Sequence, residues 1–529
     1  MKRVFVLGLD GMAWHILRRR FERGEMPYLE SLVEEGGWGT LMSVTPPVTA
    51  PAWTTFQTGV MPGTHGLLDF TMVKPRGYET TLVNSSTFSE ETIWETVSRH
   101  GGKVVAVNVP LTWPPRPVEG ILVGGMQSPT LDSPFIYPPE QKEELLREVG
   151  DYRIITTQHR FAEWGLERFV AELTATVEAR FRMGKACLDR VSDWNLGMVH
   201  IQSTDVFMHA AYPSVDPTDH RYLEEEEDLV GSFYQKLDKG IKALLEPMVE
   251  EDIPIVVMSD HGFGGIDRVA FPNAFLRKRG HQARAGGLMG RLLGGVLGAL
   301  RKWDKWGLGE RLGKAPRAAA NTAGSVTEWG KTKAFHMAGW VGAFIHINKK
   351  ERAMGKVDPE EEEELRERLI EEFTQWKGRN GRRVVKEVLR GVDIYPNLKK
   401  EWAPDLYLVP AEGVEFSSSF IHATEGPVSV DNKRDHVGSH RPEGIYIALG
   451  RGAKRGEGGD YGLVDLMPTL LSLLEIPVGE HLEGSIMDDL FPELTMKGKE
   501  RETGGGKGDT GGGDDDEIMA QRLRDLGYL

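Results

Sequence analysis

The chain has 529 residues, of which 40% are hydrophobic, and this is enough apolar material for a sizeable core. At roughly 100–200 residues per domain, the length fits two or three domains, or one large enzyme domain with insertions. The net charge of −15 argues against a basic nucleic-acid-binding surface, and the single cysteine, Cys187, excludes an intramolecular disulfide and a cysteine-clustered metal site.

The first predicted element is a buried strand over residues 4–9, which is followed by Asp10 and Gly11. The apolar run is short and no small-residue cleavage site follows it, so it does not resemble a signal peptide or a membrane span. We therefore expect a cytoplasmic protein. An aspartate after a buried strand is either a metal ligand at the edge of the sheet or an ordinary strand end.

The next segment of interest is residues 49–59, Thr-Ala-Pro-Ala-Trp-Thr-Thr-Phe-Gln-Thr-Gly. Pro46 and Pro47 before it, and Pro51 within it, are typical of the start of a helix. The hydroxyl of Thr49 would then lie beside free backbone N–H groups and the positive end of the helix dipole. This position suits a nucleophile that attacks an anionic phosphoryl group. The alternative is an N-cap threonine without a chemical role.

Three further apolar runs are continuous rather than alternating, at residues 104–109, 198–202 and 255–258. Strands of this kind occur in sheets that are buried on both faces. The sequence therefore predicts an α/β fold with a doubly wound, mostly parallel sheet and helices on both faces. In such folds ligands bind beyond the carboxyl ends of the strands, where polar residues follow these runs.

Residues with metal-ligand chemistry follow two of these runs. Asp205 and His209 are four positions apart, so they share one face of a predicted helix and one ion can bridge them. The alternative is a helix-start aspartate that bonds a nearby histidine. Asp260 and His261 are adjacent, and they can bind one ion if the chain turns sharply at the glycines that follow them.

A last candidate ligand, His440, lies between Gly438 and Pro442, in a predicted loop before a strand of alternating character. His436 and His422 are competing candidates in the same part of the chain. We select His440 because its flanking turn residues fix the loop.

The domain prediction has four parts. Residues 1–266 and 396–496 form the core, residues 267–395 an inserted cap region, and residues 497–529 a flexible Gly/Asp-rich linker with a short helix over 516–526. In the cap region, leucine, tryptophan and basic residues recur at near-helical spacing over 286–312. This amphipathic helix packs on the core, contacts a membrane surface or lipid-like substrate, or binds a partner. A second helix, with a solvated acidic face, is predicted over 358–377.

Together these segments supply three aspartates, three histidines and one threonine: Asp10, Thr49, Asp205, His209, Asp260, His261 and His440. This set fits two divalent ions, with Zn²⁺ as the expected ion and Mn²⁺ as the alternative. Two ions about 4 Å apart can stabilise both the attacking and the leaving oxygen of an in-line displacement at phosphorus.

In this order, the segments resemble the alkaline phosphatase superfamily, and within it the type I phosphodiesterase/nucleotide pyrophosphatase family. The resemblance covers roughly residues 2–489 and is weakest at 267–333. Its most specific motifs are the threonine–proline segment 49–59, the Asp-x-x-x-His at Asp205 and the Ser-Asp-His-Gly at Asp260. The resemblance also implies that residues 465–471 belong to a structural closing helix.

The resemblance implies a role for each candidate residue. Asp10, Thr49, Asp260 and His261 would surround one ion, with Thr49 as the nucleophile, and Asp205, His209 and His440 would surround the other. One position departs from the family. Phe70 stands where nucleotide-cleaving members usually have an asparagine that holds a phosphate oxygen, which places nucleotide substrates in doubt. Asn108, which follows a predicted strand, is the candidate substitute.

The leading hypothesis is a metal-dependent phosphohydrolase that cleaves small-molecule phosphodiesters through a phosphothreonine intermediate and binds no nucleic-acid polymer. Diesters are favoured over monoesters because no arginine adjoins Thr49 in the sequence. The alternative is a sulfatase, phosphonate hydrolase or phosphotransferase of the same superfamily that acts on a lipid or glycan head group. The basic segment 286–312 supports this alternative, because it is suited to peripheral membrane or lipid contact.

Overall fold

The computed structural model describes residues 1–156, 160–284, 327–378, 380–418, 430–431, 436–450, 452–494, 499–500 and 513–525. Contacts within the chain divide it into two units. The core unit comprises Met1–Phe70, Leu82–Gly265 and Lys433–Leu529, and the inserted unit comprises Thr71–Thr81 and Ile266–Asn432.

The strands and α-helices of both units are numbered together in chain order. The strands are β1 Val4–Leu9, β2 Gly37–Met42, β3 Thr71–Val73, β4 Thr80–Leu82, β5 Val104–Val107, β6 Gly120–Val123, β7 Ile136–Tyr137, β8 Leu196–Ile201, β9 Ile255–Met258, β10 Gly262–Gly265, β11 Arg268–Ala270, β12 Ala334–His336, β13 Ala343–Ile347, β14 Val385–Arg390, β15 Leu406–Pro410, β16 Val414–Phe416, β17 Val430–Asp431, β18 Gly438–Arg441, β19 Glu443–Leu449, β20 Gly456–Glu457, β21 Tyr461–Gly462, β22 Val478–Gly479 and β23 Lys499–Glu500. The α-helices are α1 Trp14–Glu22, α2 Pro27–Glu35, α3 Thr49–Thr58, α4 Pro62–His65, α5 Ile93–Arg99, α6 Lys142–Val149, α7 Phe161–Arg190, α8 Ser203–Val215, α9 Glu227–Glu250, α10 Pro272–Lys278, α11 Glu362–Thr374, α12 Gly391–Ile394, α13 Leu466–Leu473 and α14 Gly513–Asp525.

The core unit is built on one large sheet with the strand order β20–β2–β19–β9–β1–β8–β5–β6–β7, and β21 also pairs with β2. Strands β9, β1, β8, β5 and β6 are adjacent in this order and run parallel to one another. Strand β19 is antiparallel to both β9 and β2, and β7 is antiparallel to β6. The predicted mostly parallel α/β sheet is therefore confirmed.

Helices cover both faces of this sheet. Val4 and Val6 of β1 lie in one apolar cluster with Trp53 of α3 and Leu470 of α13. Because side chains alternate along a strand, Phe5 points to the other face, where its ring lies 6.0 Å from that of Trp194. Helix α7 packs against β8 and β5, and α2 packs against β19 and β2. This two-sided burial explains why the strands are continuously apolar.

The inserted unit contains an antiparallel sheet of order β12–β13–β15–β14 and a second sheet of order β16–β11–β17. Helix α11 contributes Leu365, Leu369 and Phe373 to its apolar cluster. The unit extends to Asn432, whereas the sequence places the return to the core at residue 396. The reason is strand pairing, because β15 lies between β13 and β14 and so belongs to their sheet.

Three further predictions concern the C-terminal helix, the linker before it and the amphipathic segment 286–312. Helix α14 spans Gly513–Asp525, close to the helix predicted over 516–526, and its Met519 and Leu523 are buried. Most of the predicted linker and the whole amphipathic segment 286–312 lie outside the described residues. No helix in the described ranges is both long enough and apolar enough to cross a membrane.

Candidate metal centre and nucleophile

Three neighbouring parallel strands direct acidic residues to one edge of the core sheet. Gly8 of β1 pairs with His200 of β8 and with Met258 of β9, so the carboxyl ends of these strands are level. Asp10 follows β1, Asp205 lies in the first turn of α8 after β8, and Asp260 follows β9. Strand order and register thus bring together carboxylates that are far apart in the sequence.

The first cluster forms around Nε2 of His261. This nitrogen lies 3.4 Å from Oγ1 of Thr49, 3.5 Å from Oδ1 of Asp10 and 3.2 Å from Oδ2 of Asp260. All four side chains are fully buried. They are the four residues that the sequence groups around one ion.

The second cluster adjoins the first. Oδ1 of Asp205 lies 3.3 Å from Nε2 of His209 and 3.1 Å from Nε2 of His440, and the two nitrogens are 2.9 Å apart. The rings of His261 and His440 stack with centroids 3.5 Å apart. Asp205, His261 and His440 also form a potential ligand group, with ligand atoms within 4.8 Å of one another. His261 therefore lies between the two clusters.

Backbone carbonyl groups orient all three histidines. Nδ1 lies 2.8 Å from the Gly438 oxygen in His209, 2.9 Å from the Pro47 oxygen in His440 and 3.1 Å from the Gly262 oxygen in His261. When Nδ1 donates to a carbonyl, a neutral imidazole presents its lone pair at Nε2. Burial lowers the pKa of His440 to about 4 and that of His261 well below its ordinary value, so both are neutral at pH 7. Nε2 of His209 lies 2.9 Å from Nε2 of His440, so a cation between the two rings could bind both nitrogens.

Two of the three carboxyl groups of the site lie in surroundings that disfavour their charged form. Burial and the charge of Asp205 raise the pKa of Asp10 well above its usual value, and burial with the charges of Asp10 and Asp205 does the same for Asp260. Burial opposes ionisation of Asp205 too, but His209 and His440 outweigh it and lower its pKa well below the usual range. Asp10 Oδ1 and Asp260 Oδ2 are buried oxygens without a hydrogen-bond donor in the described part of the chain.

These residues fit divalent metal ions. Zinc binds nitrogen and oxygen ligands at about 2.0–2.2 Å, which places the ligand atoms of a tetrahedral site about 3.3–3.6 Å apart. The distances of 2.9–3.5 Å within the two clusters overlap that spacing. The nitrogen and carboxylate donors also suit zinc or manganese.

Thr49 is the first residue of α3, not its N-cap. The N-cap residue is Val48, and no side chain makes a capping hydrogen bond there. By contrast, Thr54 and Thr58 donate to backbone carbonyls one turn earlier in the same helix. The Thr49 hydroxyl instead lies against His261, so the N-cap alternative does not apply.

The local structure around His440 and His261 differs from the prediction. His440 lies in strand β18, which pairs with β10 so that His440 is opposite Phe263. The following strand β19 is buried along nearly its whole length instead of alternating, because it lies between β2 and β9. Gly262 does not form a sharp turn; a Cβ there would lie 2.1 Å from the Glu443 carbonyl oxygen.

The structure places three of the four other residues that the sequence singles out: His436, Phe70 and Asn108. His436 stacks on His209 at a ring distance of 4.4 Å, and His422 lies outside the described residues. Phe70 is fully buried and supplies no polar side-chain group. Asn108, the candidate substitute, instead places Nδ2 3.3 Å from Nδ1 of His200.

Sequence reasoning missed two residues that contact Asp10. Nε1 of Trp53 donates to Oδ2 of Asp10 at 3.2 Å, and Nε2 of His200 lies 2.8 Å from the same oxygen. The signal was present in part, because His200 is a polar residue inside the otherwise apolar strand Leu196–Ile201. The role of Trp53 had no sequence signal, since an aromatic residue in a buried helix is normally core.

The mostly parallel sheet of the core unit thus carries two adjoining Asp/His clusters and a threonine hydroxyl at its carboxyl edge. Residues 4–442 match the sequence model of the family described as Type I phosphodiesterase / nucleotide pyrophosphatase, and the chain belongs to this family. It is accordingly a hydrolase of phosphoric ester bonds, with candidate metal-ligand groups at its site.

Two solved structures illustrate the fold. Human ectonucleotide pyrophosphatase / phosphodiesterase 5 gives a TM-score of 0.52 at 14% identity, covering 93% of this chain and 100% of that chain. Phosphonoacetate hydrolase from Sinorhizobium meliloti 1021, in complex with phosphonoformate, gives 0.56 at 16% identity, covering 89% and 96%. Identities this low establish a shared fold and not a shared substrate. No curated protein gives a significant sequence match.

Proposed function

We propose that this chain hydrolyses small-molecule phosphodiesters at a two-metal site, with Thr49 as the nucleophile and zinc as the resident ion. The supporting observation is the convergence of His209 and His440, whose Nε2 atoms are 2.9 Å apart while each Nδ1 lies against a backbone carbonyl oxygen. A cation between the two nitrogens would bind a lone pair from each ring. The adjoining Thr49 cluster supplies the reacting hydroxyl.

In the first proposed step, Oγ1 of Thr49 forms a bond to phosphorus in line with the departing ester oxygen. The Thr49 proton is lost and the first alcohol leaves carrying a proton, so the intermediate is a phosphodiester that joins Thr49 to the second alcohol. Water then attacks the same phosphorus, Thr49 regains its proton, and a phosphate monoester is released. When bound, the two ions would lower the pKa of the attacking hydroxyl and stabilise charge on the leaving oxygen.

The protein's own contribution is positioning. Asp10 and Asp260 both place a carboxylate oxygen within 3.5 Å of Nε2 of His261, beside Thr49, and carbonyl groups fix the rings of the three histidines. Phosphoryl transfer depends mainly on alignment and charge stabilisation rather than on covalent chemistry from the protein. Complete burial of the clusters strengthens both effects by excluding water.

The test combines metal analysis with a panel of esters. The purified chain is expected to contain about two zinc ions and to cleave bis-nitrophenyl phosphate faster than nitrophenyl phosphate, nitrophenyl sulfate or a phosphonate. A chelator should abolish cleavage, and added zinc should restore it. Preference for the sulfate or the phosphonate, or faster turnover when an alcohol acceptor is added, would identify one of the alternative reactions instead.

Thr49 variants test the nucleophile. Thr49→Ala should lose at least about 1,000-fold in kcat/KM, equivalent to about 4 kcal/mol, whereas Thr49→Ser keeps a hydroxyl and should retain measurable turnover. Thr55→Ala is the matched control, because this buried threonine of the same helix contacts His65. Wild-type cleavage by Thr49→Ala would show that Thr49 is not the nucleophile.

A further inference from the structure

The two carboxylate oxygens of Asp10 have different surroundings. Oδ2 accepts a hydrogen bond from Nε1 of Trp53 at 3.2 Å and lies 2.8 Å from Nε2 of His200. Oδ1 has no hydrogen-bond partner among the described residues and lies 3.5 Å from Nε2 of His261. One oxygen is therefore held from behind, and the other faces the first metal cluster.

A glycine makes room for the two rings that contact Oδ2. His200 pairs directly with Gly8 across β8 and β1. A Cβ at Gly8 would lie 2.7 Å from Cη2 of Trp53 and 3.2 Å from Cδ2 of His200. Without that Cβ, the Trp53 and His200 rings meet edge to face with centroids 4.7 Å apart. Each ring thus limits the movement of the other beside Asp10.

The far side of the His200 ring is also fixed. Nδ1 lies 3.3 Å from Nδ2 of Asn108 and 2.9 Å from the Asn108 carbonyl oxygen. When Asp10 is ionised, as a bound ion would keep it, the 2.8 Å contact of Nε2 with Oδ2 is a hydrogen bond only if Nε2 carries the proton. Nδ1 then accepts from the Asn108 amide and does not donate to the Asn108 carbonyl oxygen. Asn108 has a φ of 66°, in the left-handed region that a non-glycine residue rarely adopts. Such conformations persist where surrounding contacts enforce them.

We propose that His200 is a positioning residue of the first metal site: with Trp53 it holds Oδ2 of Asp10, so that Oδ1 is directed to the ion. This inference rests on the proposed function, because it assigns Asp10 to that ion. His200 itself does not contact the ion or the substrate. Groups that orient a ligand in this way typically contribute 10- to 100-fold to metal affinity.

Two substitutions separate positioning from simple core packing. His200→Gln places a side-chain amide where Nε2 lies, so it keeps a donor for Asp10. His200→Asn places its amide near Nδ1 and leaves Oδ2 of Asp10 without that donor. His336→Asn is the control, because His336 is a fully buried strand histidine of the inserted unit whose Nδ1 lies 3.0 Å from the Phe344 carbonyl oxygen.

The experiment measures zinc dissociation constants by competition with a chromophoric chelator, together with the thermal midpoint of each variant in excess chelator. His200→Asn should weaken zinc binding at one of the two sites by about 10- to 100-fold. His200→Gln should weaken it by less than about threefold, and His336→Asn should leave zinc affinity unchanged at both sites. If His200→Asn keeps wild-type zinc affinity, the proposal is wrong. Equal weakening in both His200 variants, in step with a lower metal-free thermal midpoint, would also overturn it in favour of a packing role.

Measurements on the wild-type chain separate failure of the proposed function from failure of the proposal for His200. If it binds two zinc ions but cleaves none of the esters, the proposed function fails, and the affinity comparison still decides the role of His200. If it binds no zinc, both proposals are overturned.

Discussion

Replacing Asp260 by asparagine should stabilise the metal-free chain and weaken its metal binding. Oδ1 of Asp260 accepts from the Gly11 backbone N–H at 3.2 Å, and an asparagine oxygen can keep this bond. Oδ2 is fully buried without a hydrogen-bond donor in the described residues. Burial and repulsion from Asp10 and Asp205 raise the pKa of this carboxyl, which means that its charge destabilises the metal-free fold. The substitution removes that charge at nearly constant volume.

The magnitude follows from the environment of that oxygen. A buried polar group without a partner costs about 1–3 kcal/mol, and a charged one costs more. We therefore expect Asp260→Asn to gain about 1–3 kcal/mol in unfolding free energy in excess chelator. With zinc at 1,000 times the wild-type dissociation constant, binding adds about 4.1 kcal/mol to the wild type, and a variant that has lost the site gains nothing there. The order of stability should reverse.

Urea unfolding with chelator, and again with zinc, checks this reversal. Asp216→Asn is the matched control, since Asp216 is a buried aspartate whose oxygens accept from Tyr212, Thr218 and the Thr218 backbone. That control should lose stability under both conditions. If Asp260→Asn is less stable than the wild type in chelator, the account of an electrostatically strained, metal-accepting cluster is refuted.

Three further substitutions test other parts of the structure. Gly8→Ala should displace the rings of Trp53 and His200 from Asp10 and lower zinc affinity by about 10-fold in the chelator competition; unchanged affinity would mean that the rings move without consequence. Arg20→Met should cost about 2 kcal/mol or more in urea unfolding, because it removes the fully buried partner of Glu25 and leaves only the partly exposed Arg23 to pair with that carboxylate. A loss below about 0.5 kcal/mol would contradict this. Leu523→Ala should release helix α14, seen as faster amide hydrogen exchange over Gly513–Asp525, and unaltered exchange would argue against its docking through that side chain.

Much of the core was predictable because its strands are buried on both faces. Continuous apolar runs such as 255–258 are typical of strands in such a sheet, and the polar residues that follow them mark the strand ends. Asp205 and His209 were predictable as a pair because helical periodicity alone places them on one face, and α8 does so. Side-chain periodicity and strand ends are local properties, so one sequence is enough to read them.

The remaining features depend on contacts that a single sequence does not encode locally. His440 was placed in a loop because its flanking residues favour turns, yet it pairs with a strand about 180 residues earlier in the chain. The extent of the inserted unit depends on β15 pairing with β13, which is likewise a long-range contact. The contact of His200 with Asp10 depends on the order and register of β8 and β1 and on the absence of a side chain at Gly8.

The most direct test of the central claim is to identify the covalent intermediate. The zinc-loaded chain is mixed with bis-nitrophenyl phosphate, quenched in acid within one turnover, digested and analysed by mass spectrometry. We predict a nitrophenyl phosphoryl adduct on the peptide that contains residues 49–59, localised to Thr49 and absent from Thr49→Ala. An adduct on another residue, or rapid turnover with no adduct at any quench time, would contradict the assignment of Thr49 as the nucleophile.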